Sequence, residues 1–200
     1  RIVSIFHALV SSIVTCWQIH VSQVFESKDA LLLYPNFLEY VFPLYIGYTM
    51  YDIILMYVNG SEPLYMWLHH IIGALSICAI SYIRRGAYFP AMFLQTEFTA
   101  ASTNIVWYFH KFGISRGLKY RLSLVFRFVS SLLIRLPMPF YVWYYLYHQI
   151  GTYSEVLEAF IELPLFVSII TILNICTFGA INTIWTYQML KAIFRKQKSL

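Results

Sequence analysis

The chain has 200 residues, of which 60% are hydrophobic, 19% aromatic and 12% charged, where soluble domains average about 45–50% apolar and about 25% charged. With a mean hydropathy of +0.64, this excludes a water-soluble fold and fits one domain, 1–200, of six or seven membrane crossings of about 20 residues each. The net charge of +5 does not make a nucleic-acid binder, because the basic residues gather in short connections and at the C-terminus, as membrane proteins place them.

Apolar runs bounded by turn residues predict an all-α, polytopic integral membrane protein with spans near 2–24, 38–58, 64–83, 87–109, 122–147 and 160–190, followed by a basic tail over 191–200. The separators are Glu26, Ser27, Lys28 and Asp29; Asn59, Gly60, Ser61, Glu62 and Pro63; Arg84, Arg85 and Gly86; then 110–121 and 151–158. The chain opens at Arg1 rather than Met, so a preceding signal or helix stays open. Cys16, Cys78 and Cys176 fall inside apolar stretches without CxxC spacing and are expected to be small core residues. Pro137 and Pro139 are expected to kink the fifth span or free a carbonyl inside the bundle. Aromatic residues near predicted ends, such as Trp143, Tyr144, Tyr145 and Tyr147, suit the headgroup layer.

Six crossings would put both termini on one side, with Arg1, Lys111, Arg116, Lys119, Arg121 and the C-terminal cluster Lys191, Arg195, Lys196 and Lys198. The other side carries Lys28, Arg84 and Arg85 among the acids Glu26, Asp29, Glu155 and Glu158. The positive-inside rule therefore predicts cytoplasmic termini.

Ionisable groups at membrane depth cost about 2.5–3.5 kcal/mol each on insertion scales and are normally paired or functional. The candidates are Asp52, His69, His70, Glu97, Arg127 and Arg135. Folding the chain about the turn near Gly60 and Ser61 sets Asp52 and His69 equally deep, about 13 Å from the turn at 1.5 Å per residue. Continuing through the next two turns collects Asp52, His69, His70, Ser102, Thr103 and Arg127 in one stratum toward the cytoplasmic side. Glu97 lies about 6 Å deeper and level with Arg135, which predicts a structural ion pair.

Adjacent histidines point about 100° apart on a helix, so one can act while the other orients it or lines a pocket. A neutral imidazole with Asp52 or Glu97 behind it suits a general base or acyl acceptor, whereas hydrogen-bonded packing is the alternative. His7, His20, His110 and His148 are isolated, without HxxxH or HxxHH spacing, so no metal site is expected. No GxSxG elbow or glycine-rich phosphate loop is present.

Gly47, Tyr48, Tyr51 and Asp52, then Trp67, Leu68, His69 and His70, then Tyr82, Arg85 and Gly86, resemble the TLC domain. That family includes ceramide synthases, translocation-associated membrane proteins, a ceroid-lipofuscinosis protein and small TLC-domain proteins, and the resemblance runs from about 2 to 190. In ceramide synthases the fourth helix resembles H-D-x-S-D-x-x-L-E, with His and Asp implicated in N-acyl transfer from acyl-CoA to a sphingoid amine. Here Glu97 keeps the first acid and Thr99 the hydroxyl, while Thr96, Ala100 and Asn104 replace the His, the second Asp and the last Glu. The resemblance implies a helical bundle or barrel around a lipid-accessible cavity, usually in the endoplasmic reticulum or another internal membrane.

Three readings follow. The first is a protein of membrane lipid homeostasis that binds or senses an acyl lipid, needs no cofactor and has membrane lipids as partners. The second is an N-acyltransferase with acyl-CoA as co-substrate, in which His69, His70, Asp52 and Glu97 are catalytic and Arg127 meets the coenzyme A phosphate. The third is a structural or cargo-binding subunit, with protein partners or a homo-oligomer.

Overall fold

The computed structural model describes residues 2–60, 62–114 and 116–194. Arg1, Ser61 and Ser115, with the basic residues Arg195, Lys196 and Lys198, lie outside the described residues. The described chain is helical, without a strand.

The first helix, α1, is Ile2–His20. Its buried face reads Ser4, His7, Ala8, Ser11, Ser12, Thr15 and Ile19, whereas Ile2, Phe6, Ile13 and Trp17 are exposed. A soluble helix would be the reverse. Small and hydroxylated residues inside with large apolar ones outside is the arrangement of a helix whose solvent is hydrocarbon. The inward hydroxyls are satisfied within the helix: Ser12 donates to the Ala8 carbonyl and Thr15 to that of Ser11, both at 2.6 Å.

Helices α2 (Leu38–Asn59) and α3 (Leu64–Ile83) form the next hairpin. α2 ends on Gly60 at φ 62°, whose N–H returns to the Met56 carbonyl, and α3 ends on Arg84 at φ 58°, whose N–H returns to Ile80. Both are left-handed helix stops. Arg84 is held there by an ion pair with Glu39 and lies over the Tyr34 ring at 5.2 Å.

The chain next runs through α4 (Tyr88–Leu94), a 3-10 turn (Gln95–Glu97) and α5 (Phe98–Lys111). All seven residues of α4 are buried, and the Tyr88 hydroxyl donates to the Val142 carbonyl at 2.7 Å. α6 (Leu118–Ser130) passes through a π turn (Ser131–Arg135) into α7 (Met138–Ile150). α8 (Tyr153–Glu162) is a short amphipathic helix capped by Thr152, and α9 (Leu165–Phe194) is the last.

Five helical stretches are long and apolar enough to cross a membrane: Ile2–His20, Leu38–Asn59, Leu64–Ile83, Leu118–Ile150 and Leu165–Phe194. The sixth expected span, 87–109, is helical but does not join these five. It carries Gln95, Thr96, Glu97, Thr99, Ser102, Thr103 and Asn104. Most of these polar residues turn inward, toward the other helices, and the 3-10 turn divides the segment into two shorter helices.

Two other expectations need correction. The last span starts at Leu165 rather than 160, because Pro164 separates α8 from α9 and the residue before a proline leaves the helical region. Cys16, Cys78 and Cys176 are exposed rather than core residues. In a membrane domain the outer surface is as apolar as the inside, so an apolar setting does not tell the two apart.

Polar bonds tie the helices together across their interfaces. Asn174 of α9 donates to Ser76 of α3 at 2.7 Å, Asn104 of α5 to Ser4 of α1 at 3.2 Å, and Ser131 pairs with Thr186 at 2.9 Å.

Gly86, at φ +77°, makes the turn from α3 into α4 against the base of α9. A Cβ there would lie 3.1 Å from Val167 Cγ1 and 3.5 Å from Leu163 Cδ2. Gly86→Ala is expected to destabilise the fold by about 1–3 kcal/mol through the left-handed backbone. Thermal unfolding in detergent checks this, and an unchanged midpoint would show that the turn tolerates a side chain.

Candidate functional site

Tyr48 and Asp52 are four residues apart on α2 and so share a face. Across the hairpin that face meets the first two turns of α3, where Met66, His69 and His70 all border the same space, and together they form one wall of a cavity of about 330 Å³. Small-molecule sites span about 300–1,000 Å³. Ala100, Thr103 and Asn104 of α5 form the facing wall, with Arg127 of α6 beside them, and Trp185, Gln188 and Met189 of α9 complete it.

The two histidines have separate surroundings. His70 Nε2 lies 3.0 Å from Asp52 Oδ2, a close charge contact rather than an aligned hydrogen bond. His69 meets His70 edge-on, with ring centroids 5.0 Å apart, and packs on Phe178 at 4.7 Å and Trp185 at 5.3 Å. Its buried Nδ1 has no hydrogen-bond partner among the described residues. The 100° between neighbours on a helix thus sends one imidazole to the carboxylate and the other to an aromatic wall.

Arg135 reaches the cavity because of the π turn that carries it. A π turn fits an extra residue into the helix; here it closes with the Leu136 N–H on the Ser131 carbonyl at 3.0 Å, just before Pro137. The direct contacts of the guanidinium are neutral groups: Nε donates to the Thr99 hydroxyl, Nη1 reaches Asn182 Oδ1 at 3.5 Å, and the Trp185 ring lies 4.9 Å beneath it. Asn182 also donates to the Arg135 carbonyl at 3.3 Å. That is the carbonyl freed ahead of the prolines, satisfied by a side chain from another helix.

Glu97 lines the same cavity and is buried, yet it makes no contact pair with Arg135. His70 with Asp52 and Arg84 with Glu39 do come within 4.0 Å of each other. Thr99, two residues farther on at the start of α5, occupies the guanidinium instead. Arg127 is half-buried, and its Nε has no hydrogen-bond partner among the described residues.

The structure therefore brings Asp52, His69, His70, Glu97, Thr103, Arg127 and Arg135 around one space. Ser102 is not on it. Its hydroxyl bonds to the Thr99 carbonyl at 2.7 Å and meets Ser130 at 3.2 Å, packing α5 on α6. Ser4, Tyr45, Asn104 and Trp185 line the cavity without having been singled out for it. A signal existed for part of this: Asn174, Asn182 and Gln188 are amides within a long apolar helix, and such groups face a bundle interior. Among the described residues no three His, Cys, Asp or Glu side chains group to hold a metal ion.

The TLC domain family matches residues 1–191 of the chain. Comparisons with curated proteins and with solved structures give no significant match. A family match over nearly the whole length, on an all-helical chain with five apolar crossings around a polar cavity, identifies an integral membrane protein with a lipid-related role, and the chain belongs to the TLC domain family.

Proposed function

We propose that this protein binds or senses an acyl lipid in the intramembrane cavity and acts in membrane lipid homeostasis, with the polar part of the lipid held by Asp52, His69, His70, Thr103 and Arg127. The observation that carries this reading is the cavity itself. Ionisable side chains are costly at membrane depth, and here six of them line one space of about 330 Å³, with His70 and Asp52 in contact on its wall. Arg127 Nε and His69 Nδ1 leave donor or acceptor capacity for a ligand.

The reading predicts lipid enriched over the bulk membrane in gently purified protein, detected by mass spectrometry. Changing both His69 and His70 to Ala is expected to lower that enrichment about tenfold or more, the worth of one or two hydrogen bonds to a polar head. The variant should keep its elution and thermal transition. No enriched lipid in the wild type sinks the reading, and loss of assembly in the variant marks the histidines as packing residues.

A second reading, N-acyl transfer from acyl-CoA, has the His70 and Asp52 contact in its favour. In it His70 removes a proton from an amine as the nitrogen attacks the thioester carbonyl. Asp52 stabilises the imidazolium, and coenzyme A leaves as the thiol after taking the proton back. Transfer of labelled acyl groups to sphingoid and other amines should then fall about 10²–10⁴-fold in His70→Ala. No transfer by the wild type beside an active control enzyme rejects it.

The membrane is the endoplasmic reticulum or another internal one, with both termini cytoplasmic. The orientation rests on Lys111, Arg116, Lys119 and Arg121 clustering between α5 and α6. An N-glycosylation acceptor inserted beside Gly113 is expected to stay unmodified and one beside Arg85 to be glycosylated. The opposite pattern would invert the topology.

A further inference from the structure

A second, smaller space of about 20 Å³ continues the cavity toward the opposite end of the bundle. The order of residues along each helix shows the continuation. On α3 the cavity takes His69 and His70 and the crevice takes Gly73 and Ile77, the latter about 10 Å farther along the axis. On α9 the cavity takes Trp185 and the crevice Phe178 and Asn174, the last about 16 Å beyond. In the run from α5 back to α4, Asn104 and Ala100 belong to the cavity, and Leu94, Phe93 and Pro90 to the crevice.

Two residues line both spaces, Tyr45 and Glu97. The chemistry changes across them. Ionisable groups dominate on the cavity side, while Ile77, Phe93, Leu94 and Phe178 dominate beyond, where the Asn174 amide is engaged with Ser76. Tyr45 is buried and extends from α2 to α3. Its hydroxyl comes so close to Gly73 that a Cβ at that position would lie 2.4 Å from it. Glycine at 73 is what lets the phenol reach the α3 backbone and close the passage.

We propose that Tyr45 is a gate between a polar headgroup chamber and an apolar tail crevice, and that the size of its side chain sets how long an acyl chain the site accepts. The proposal rests on the lipid reading above and names a specificity-determining residue within it. A chain whose head lies among Asp52, His70 and Arg127 runs down the bundle axis until it meets the Tyr45 ring. With that ring in place the crevice beyond has room for little more than a water molecule.

The test measures the acyl chains of lipids carried through gentle purification of the wild type, Tyr45→Ala, Tyr45→Leu and Phe93→Ala from the same host membranes. Because the competing environment is bilayer hydrocarbon, a shortened gate acts by removing a steric block and adding van der Waals contacts, and the share of longer chains should rise about twofold or more over the wild type. The chain-length distribution therefore moves upward in Tyr45→Ala, and by less in Tyr45→Leu. Phe93→Ala enlarges the crevice behind an intact gate and is expected to keep the wild-type distribution. If Tyr45→Ala shows no cooperative thermal transition, Tyr45→Leu carries the comparison. Lipid retained with wild-type chain lengths in the folded Tyr45 variants overturns the gate and leaves the lipid reading standing. A wild type without enriched lipid overturns both.

Discussion

In hydrocarbon a hydroxyl, an amide or a guanidinium finds partners only inside the protein, and the helices here turn their polar faces toward one another for that reason. α1 buries Ser4, Ser11, Ser12 and Thr15 while exposing Ile2, Phe6 and Trp17. The run from Tyr88 to Lys111 is the extreme case, because it concentrates polar side chains and lies against α1, α6 and α3. Hydrogen bonds such as Asn174 to Ser76 and Asn104 to Ser4 then set which helix faces which. Each contributes modestly, about 0.6 kcal/mol on average in membrane helices. Apolar side chains gain nothing by leaving lipid for protein, so these polar bonds and close packing hold the bundle.

The same constraint explains how charges survive in the cavity. Arg135 is stabilised by Thr99 of α5 and by Asn182 and the face of Trp185 of α9, a set of dipoles and a ring quadrupole drawn from two helices. Direct pairing with Glu97 would neutralise both groups and leave neither for a ligand. The π turn and Pro139 make the other arrangement possible. They free a carbonyl that Asn182 then holds, and they aim the guanidinium across the bundle. The histidines divide in the same manner, one toward Asp52 and one toward the aromatic wall of Phe178 and Trp185.

On the proposed lipid reading, specificity runs along the bundle axis. The polar end gathers Asp52, His69, His70 and Arg127, and toward the apolar end the Tyr45 hydroxyl lies against Gly73. Lipid tails differ by methylenes, which only volume can distinguish, and heads differ by donors, acceptors and charge. Separating the two kinds of discrimination on different residues lets each be tuned without the other.

The sequence by itself determined the membrane class, the all-helical domain, the α2–α3 hairpin and the layer holding Asp52, His69 and His70, because these depend on composition and on a rise of 1.5 Å per residue. It also located the freed carbonyl ahead of Pro137 and Pro139 and the family motifs. Rotation about the helix axis, by contrast, was not legible. Ser102 turns to Ser130 instead of the cavity, the cysteines face outward, and Arg135 meets Thr99 rather than Glu97. In a bilayer both the inside and the outside of a bundle are apolar, so periodicity loses the contrast that marks a buried face in water. Only the packing of α9 against the π turn and of Tyr45 against Gly73 decided which side chains enclose the cavity and where it ends.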